Sequence, residues 1–306
     1  MNKCATIDIG TNSMRLLLIE LEGKKVVSRE KTINVTRIGA SVDGCGYITP
    51  QGIDRNLQSY NQLVQKAEEW GAESIWSIAT SAVRDAKNGE EFTQIAFQET
   101  GVPIKIITGE EEAELGYKGV LWGIETKPQT MMVIDIGGGS TELIVGNATE
   151  IIKKSSIDIG AVRMTERYIT TDPISEEEYL RLKEEINKAL DGFFSSTSLP
   201  NIEVFVGIGG TATSLGAIDQ QLVEYDMDKI HTYRLKEDKI HRIMENLKTI
   251  TLEEKKKLKG LHPKRADIIL AGTVILHQLM KKFSFKEMIL SEYDNLEGLL
   301  ITQQYK

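Results

Sequence analysis

Ile7-Asp8-Ile9-Gly10-Thr11-Asn12-Ser13 lies near the start of the chain, and Ile134-Asp135-Ile136-Gly137-Gly138-Gly139-Ser140 repeats its pattern in the second half. Each copy is an apolar strand carrying one Asp, then a turn of Gly, Thr, Asn or Ser. Each is followed two residues later by an apolar return strand, residues 16–19 and 143–145. The matching flanks and the matched spacing of Ser13 and Ser140 read as duplication of one strand–turn–strand unit. Two similar domains facing one another are the simplest consequence.

Outward from the two copies, strand-like and helix-like segments alternate along the chain, the pattern of α/β architecture. Residues 5–9, 14–20 and 25–31 read as three strands joined by tight turns. Thr49 offers an N-cap with Pro50 at the first helical position, and a helix runs to Trp70 until Gly71 stops it. Residues 74–79 and 104–108 read as strands flanking a helix that Asn88 caps. In the second half, helices are expected over 175–194, 236–249 and 264–283, and a strand over 203–206. The crossover falls in 123–127. The first domain spans 1–124 and is completed by a C-terminal helix, 294–306; the second spans 125–293.

With 306 residues there is room for two domains with sizeable cores. No long apolar stretch reads as a signal peptide or membrane helix, so no membrane partner and a cytoplasmic location are expected. Two cysteines are too few for a disulfide scaffold, and four scattered histidines show no zinc spacing. A net charge of −8 argues against nucleic acid as a partner. It leaves room for a phosphorylated ligand, because local clusters override the global sign. Lys255, Lys256, Lys257, Lys259, His262, Lys264 and Arg265 form one such cluster, although a solvated helix surface explains them equally well.

The chemistry concentrates in the turns. Thr11 to Ser13 and Gly137 to Ser140 are backbone nests whose converging N–H groups suit phosphate oxygens. Asp8 or Asp135, at the end of the preceding strand, is placed to hold Mg²⁺ beside that phosphate, and Glu142 can share the task. Gly207-Ile208-Gly209-Gly210-Thr211 leads instead into a helix, whose N-terminus suits an anion; close strand–helix packing is an equal reason for its glycines. Arg84, in Ala79-Thr80-Ser81-Ala82-Val83-Arg84-Asp85-Ala86, can make a bidentate phosphate contact or a structural ion pair with Asp85 or a nearby Glu. Glu110-Glu111-Glu112-Ala113-Glu114 opens a helix, where carboxylates are favourable in any case. One of them can act as general base, and periodicity does not say which.

Taken together, Asp8-Ile9-Gly10-Thr11-Asn12-Ser13-Met14-Arg15-Leu16, the Arg84 string, Ile107-Thr108-Gly109-Glu110-Glu111-Glu112-Ala113, Asp135-Ile136-Gly137-Gly138-Gly139-Ser140-Thr141-Glu142 and Asp294-Asn295-Leu296-Glu297-Gly298 resemble the Ppx/GppA family of exopolyphosphatases and guanosine pentaphosphate phosphatases. That family lies within the actin, Hsp70 and sugar-kinase superfamily. The resemblance implies an α/β fold of two actin-like, ribonuclease H-like domains with a ligand cleft between them. It implies a hydrolase of phosphoanhydride bonds that releases the terminal phosphate of inorganic polyphosphate or of guanosine pentaphosphate, a nucleotide of the stringent response. The implied catalytic residues are Glu112 as base, with Glu111 one position away as the ambiguity, and Arg84. Phosphate contacts are implied at Thr11, Asn12, Ser13, Arg15, Gly137, Gly138, Gly139, Ser140 and Thr141, to which the helix-opening turn adds Gly209, Gly210 and Thr211. Asp135, Glu142 and Asp8 form the implied environment of Mg²⁺, with Mn²⁺ as a substitute.

The chain stops before the helical C-terminal domains of longer members and so looks like a short form, for which a homodimer stays open. A phosphohydrolase specific for guanosine pentaphosphate, a non-hydrolysing sensor of polyphosphate or guanosine polyphosphates, and an ATP-dependent small-molecule kinase are the competing expectations.

Overall fold

A computed structural model describes residues 1–40, 42–125, 128–194 and 199–305. Thr126 and Lys127 of the expected crossover, and Lys306, lie outside the described residues. The chain forms two compact units, Met1–Gly119 with Asn295–Lys306, and Val120–Asp294.

In the first unit, β1 (Asn2–Ile9), β2 (Met14–Glu22) and β3 (Lys25–Asn34) form an antiparallel meander. Helices α1 (Val42–Cys45) and α2 (Pro50–Trp70) follow, then β4 (Ser74–Ala79), α3 (Ser81–Asp85), α4 (Gly89–Thr100), β5 (Ile104–Ile106) and α5 (Gly109–Gly123). The sheet order is β3-β2-β1-β4-β5, with β4 parallel to β1 and β5 parallel to β4. Alternation along β1 makes the layers: Ala5, Ile7 and Ile9 enter a core with Tyr60, Leu63 and Phe92 of α2 and α4. The Thr49 hydroxyl caps α2 by accepting from the Gly52 N–H at 3.1 Å. Asn88 does not cap α4 as expected. Its amide accepts from the Ile48 N–H and donates to the Ile48 carbonyl, both at 2.9 Å, clamping the approach to α2.

The second unit repeats the plan. After β6 (Met131–Ile136), β7 (Thr141–Gly146) and β8 (Ile151–Ile157) come α6 (Ala161–Tyr168), α7 (Glu176–Phe194), β9 (Val204–Ile208), α8 (Gly209–Asp219), α9 (Met227–Ile230) and β10 (Arg234–Lys236). Then follow α10 (Glu237–Thr249), α11 (Leu252–Lys255), α12 (Ile269–Phe283) and β11 (Glu287–Leu290). The sheet order is β10-β11-β9-β6-β7-β8. Its stretch β8-β7-β6-β9-β11 matches β3-β2-β1-β4-β5 in order and in strand direction, with β9 parallel to β6 and β11 parallel to β9. The duplicated hairpin is therefore the start of a duplicated sheet, the strand plan of the ribonuclease H-like, actin-like fold. Its main core gathers Ile134, Ile136, Leu143 and Val145 with the almost entirely buried α12. Where one helix was expected over 264–283, Pro263–Arg265 forms a 3₁₀ turn, opened by the His262 ring nitrogen accepting from the Lys264 N–H at 3.1 Å, and α12 starts only at Ile269.

The chain ends in α13 (Asn295–Gln304), which belongs to the first unit. It covers the other face of that sheet, where the Thr6 hydroxyl donates to the Leu296 carbonyl at 3.0 Å. Glu297 is fully buried and paired with Lys31 at 3.0 Å and Arg29 at 3.5 Å. Gly298 leaves no room for a side chain, since a Cβ there would stand 1.9 Å from the Leu115 carbonyl oxygen.

Candidate active site

Strand β1 runs into the turn Gly10–Ser13, and β6 into Gly137–Ser140. The two turns close alike: the Gly10 N–H donates to the Ser13 carbonyl and the Gly137 N–H to the Ser140 carbonyl, each at 3.0 Å. In both, the carbonyls are held from behind. Thr11 and Asn12 accept from the N–H groups of Gly39 and Arg37, and Gly137 and Gly138 accept from those of Ala161, Val162 and Arg163 at the start of α6. The N–H groups of Thr11, Asn12 and Ser13, and of Gly138, Gly139 and Ser140, have no partner among the described residues. Carbonyls tied back and donors left open make an anion nest at each turn. Two residues the sequence reading missed enforce this. The Ser81 hydroxyl shares a 2.8 Å hydrogen bond with that of Thr11. Gly160 lets α6 approach, because a Cβ there would stand 2.3 Å from the Gly138 oxygen.

The two hairpins differ in the charge opposite their Asp. Register sets Arg15 directly across from Asp8, and its guanidinium binds the Asp8 carboxylate, with the Nε contact at 3.2 Å. Register sets Glu142 across from Asp135, two carboxylates side by side on the sheet face opposite the Leu143 and Val145 core. Both are buried. Glu142 accepts from the Ser156 hydroxyl at 2.7 Å. Adjacent buried carboxylates repel unless a cation compensates them. The pair offers oxygen ligands of the kind a hard divalent cation takes, and in the first hairpin the Arg15 guanidinium stands against Asp8. Among the described residues no group of three or more His, Cys, Asp or Glu can enclose a metal. The pair thus suits an ion that keeps several waters and takes phosphate oxygens, the habit of Mg²⁺, and not an all-protein cage. In the first turn, Asp8 Oδ1 and both amide atoms of Asn12 are buried with no hydrogen bond among the described residues, polar atoms that an arriving oxyanion and its waters can satisfy.

The carboxyl ends of β1, β4 and β5 are parallel neighbours, where α/β sheets present ligand contacts. After β4 comes Arg84, in the last turn of α3. Its Nη1 donates to the Ile107 carbonyl at 2.9 Å and stands 3.5 Å from Glu112 Oε2, and its Nε lies 3.8 Å from Asp85 Oδ1. After β5 comes the start of α5, where Thr108 and Glu111 form a reciprocal cap: the Thr108 hydroxyl accepts from the Glu111 N–H at 3.1 Å and Glu111 Oε2 from the Thr108 N–H at 2.8 Å. That cap also ends the expected strand 104–108 at Ile106. The hydrogen bond from Lys105, at 2.6 Å, leads the causes that hold the Glu111 carboxyl below its ordinary range. Glu111 is thus a partly exposed, structurally occupied carboxylate, whereas Glu112 is buried, 7 % exposed, against Arg84.

In the second unit, β9 leads into α8, and Gly209 adopts φ +75° with its Cα against the Asp135 carboxylate. A Cβ at Gly209 would stand 2.1 Å from Asp135 Oδ1. The helix N-terminus is therefore beside the acidic pair. Thr211 is turned inward, donating to the Ile136 carbonyl at 3.3 Å, and Thr141 donates to the Ile159 carbonyl. Both hydroxyls act within the scaffold. Arg265 lies over Gly210, where a Cβ would stand 1.5 Å from its Nη1. The sequence marked Arg265 only as one cation in a run; the bare Gly210 opposite it was the missed signal.

Comparison with known proteins bears on the family of the chain. The chain is 33% identical over 97% of its length to the bifunctional 3-dehydroquinate synthase/phosphatase of Fusobacterium nucleatum, of which it spans 46%. It is 29% identical over 99% of its length to exopolyphosphatase 2 of Mycobacterium tuberculosis, spanning 98% of that protein. A crystal structure of the Aquifex aeolicus member of the Ppx/GppA family superposes with a TM-score of 0.83 at 30% identity, covering 99% of this chain and 98% of the other. Residues 7–305 match the pattern of the Ppx/GppA phosphatase family. The repeated nests, the acidic pair and the buried Glu beside Arg84 thus stand in a chain that belongs to the Ppx/GppA phosphatase family.

Proposed function

We propose that the chain is a Mg²⁺-dependent exopolyphosphatase that hydrolyses the terminal phosphoanhydride of inorganic polyphosphate, and of guanosine pentaphosphate as a second substrate with the same reacting group. The observation that carries the reading is the Asp135–Glu142 pair beside a turn with three open N–H donors. Asp135 and Glu142 would hold a divalent cation there, and its chemistry would be neutralisation of the phosphate charge.

The chain's own groups do the rest. The Gly138, Gly139 and Ser140 amides orient phosphoryl oxygens beside the acidic pair, and the Thr11, Asn12 and Ser13 amides form a second nest of the same kind within the first unit. Arg84 binds a terminal phosphate oxygen and fixes the Glu112 carboxylate at the same time. Glu112 accepts the proton of the attacking water as the oxygen–phosphorus bond forms, and the shortened chain leaves with the bridging oxygen. The assignment to Glu112 is supported by the engagement of both Glu111 oxygens, one with Lys105 and one with the Thr108 N–H. Phosphoryl transfer demands positioning and charge neutralisation more than covalent chemistry, which suits a site made mainly of backbone donors. Exopolyphosphatase 2 of Mycobacterium tuberculosis supports the substrate class. The unpaired thiols of buried Cys4 and exposed Cys45 suit work in the reducing cytoplasm.

Phosphate release measured by malachite green from long polyphosphate, tripolyphosphate, guanosine pentaphosphate and ATP tests the reading, with Mg²⁺ or with chelator. Release from polyphosphate in Mg²⁺ and none with chelator is expected. Tight binding of polyphosphate without any release would replace the enzyme by a sensor.

A further inference from the structure

One strongly charged segment of the second unit has no part in the chemistry above. Between residues 253 and 265 stand six cations, Lys255, Lys256, Lys257, Lys259, Lys264 and Arg265, against two acids, in a chain whose net charge is −8. The expected helix face does not form. Helix α11 ends at Lys255, and the remainder is a turn and loop in which Lys256, Lys257, Lys259, His262 and Lys264 are exposed. Lys256 pairs with Glu253 at 2.6 Å; Lys257 and Lys259 form no salt bridge among the described residues.

The loop is nonetheless fixed in place. Gly260 adopts φ +84°, and a Cβ there would stand 2.1 Å from the Ala217 carbonyl oxygen, in the last turn of α8. Arg265 lies over Gly210, in the first turn of the same helix. The segment therefore runs beside α8 from its end to its beginning, a distance of about 10 Å at 1.5 Å per residue. The beginning is the end at which Gly209 meets Asp135. The segment that carries these exposed lysines thus ends, at Arg265, beside the helix start that adjoins Asp135.

We infer that residues 256–265 form a track for the distal part of a linear polyphosphate, the phosphates beyond the one being removed. This inference rests on the exopolyphosphatase reading and adds to it a preference for long chains. A regular polyanion of closely spaced charges suits such a row, each ammonium displacing a condensed counter-ion. Single-stranded nucleic acid suits it less, because residues 251–268 contain no Phe, Tyr or Trp on which bases can stack. The track also gives a physical basis for repeated cleavage, since a chain still held by its distal phosphates can advance after each release.

The test is the triple variant Lys257→Ala, Lys259→Ala, Lys264→Ala in the full chain, its folding checked by thermal melting against the parent. The Michaelis constants for polyphosphate of several hundred units and for tripolyphosphate are compared, and labelled long polyphosphate is bound at equilibrium in chelator. Three lost phosphate contacts are expected to weaken long-chain binding about tenfold and to flatten its salt dependence. The Michaelis constant for long polyphosphate should rise by the same factor, against a change of less than about twofold for tripolyphosphate. Charge reversal at the same positions should deepen the effect. Equal losses on both substrates, or no loss on either, would overturn the track. Displacement of long polyphosphate by single-stranded RNA of equal charge at equal concentration would also overturn it, in favour of a nucleic-acid surface. If the parent binds long polyphosphate but hydrolyses no phosphoanhydride, the proposed activity fails while the binding comparison still decides the track.

Discussion

Glu111 and Glu112 differ by one position and have different surroundings, and the proposed mechanism gives the base role to Glu112 alone, so exchanging each for Gln separates them. In Glu112→Gln the carboxylate beside Arg84 becomes an amide of nearly the same shape that cannot accept a proton. Loss of a general base costs on the order of 10²–10⁴ in turnover. A decrease of at least 10²-fold in kcat is expected, with the Michaelis constant changed by less than about threefold because the amide still packs against Arg84. In Glu111→Gln the Lys105 ion pair is lost and the amide oxygen still accepts from the Thr108 N–H, so the cap is weakened and not removed, at a partly exposed site. A weakened cap costs about 1 kcal/mol and an exposed pair a few tenths more, so the melting temperature falls by a few degrees and kcat stays put. Steady-state phosphate release and thermal melting of the three proteins measure both effects. Normal turnover in Glu112→Gln, or a collapse of turnover in a folded Glu111→Gln, would refute the division of labour drawn from the cap.

Four further outcomes are expected. Asp135→Asn and Glu142→Gln should each raise the Mg²⁺ needed for half-maximal phosphate release by at least about tenfold, whereas Arg15→Met should not, because Arg15 is the first hairpin's internal counter-ion; equal Mg²⁺ titration curves for all three would count against the acidic pair. Gly160→Ala drives a methyl into the Gly138 carbonyl and should abolish activity through the nest, visible as loss of phosphate binding by calorimetry in a protein that still melts cooperatively. Glu178 accepts from the N–H and hydroxyl groups of Thr170, Thr171 and Ser175, contacts that hold its carboxyl far below the ordinary range, led by the Thr170 hydroxyl. With its folded pKa depressed, Glu178 contributes stability that is fully present above about pH 4.5 and is lost as pH falls toward the folded value; Glu178→Gln should flatten that part of the melting temperature against pH curve. Glu297→Ala leaves Lys31 and Arg29 without their buried partner and should cost about 3–5 kcal/mol, read as the unfolding midpoint in urea.

The hairpins were legible because their signal is chemical and local: an Asp closing an apolar run, then residues without bulky side chains, repeated with the same flanks. The Glu111 and Glu112 question was not settled by counting along a helix, where neighbours differ by about 100°. Thr108-x-x-Glu111 is nevertheless a cap pattern that identifies the structurally committed carboxylate. The Asp8–Arg15 pairing was hidden for a similar reason. It appears only when the four-residue turn is used to set the register, after which Arg15 and Glu142 fall opposite the two Asp residues. Asn88 illustrates the limit in the other direction, since a residue suited to capping its own helix was drawn to Ile48, forty residues away in sequence. The contact between Arg265 and Gly210 is of that kind too: distant in the chain, it depends on how α8 and the loop before α12 pack.

The last helix joins a sheet whose other strands were all laid down in the first 106 residues. During synthesis that sheet must wait, one face bare, while the ribosome adds the whole second unit; at about 5–20 residues per second the delay is roughly 10–40 s. The second unit is continuous and can mature in the interval. The face covered by residues 295–304 is therefore the last part of the first unit to be completed.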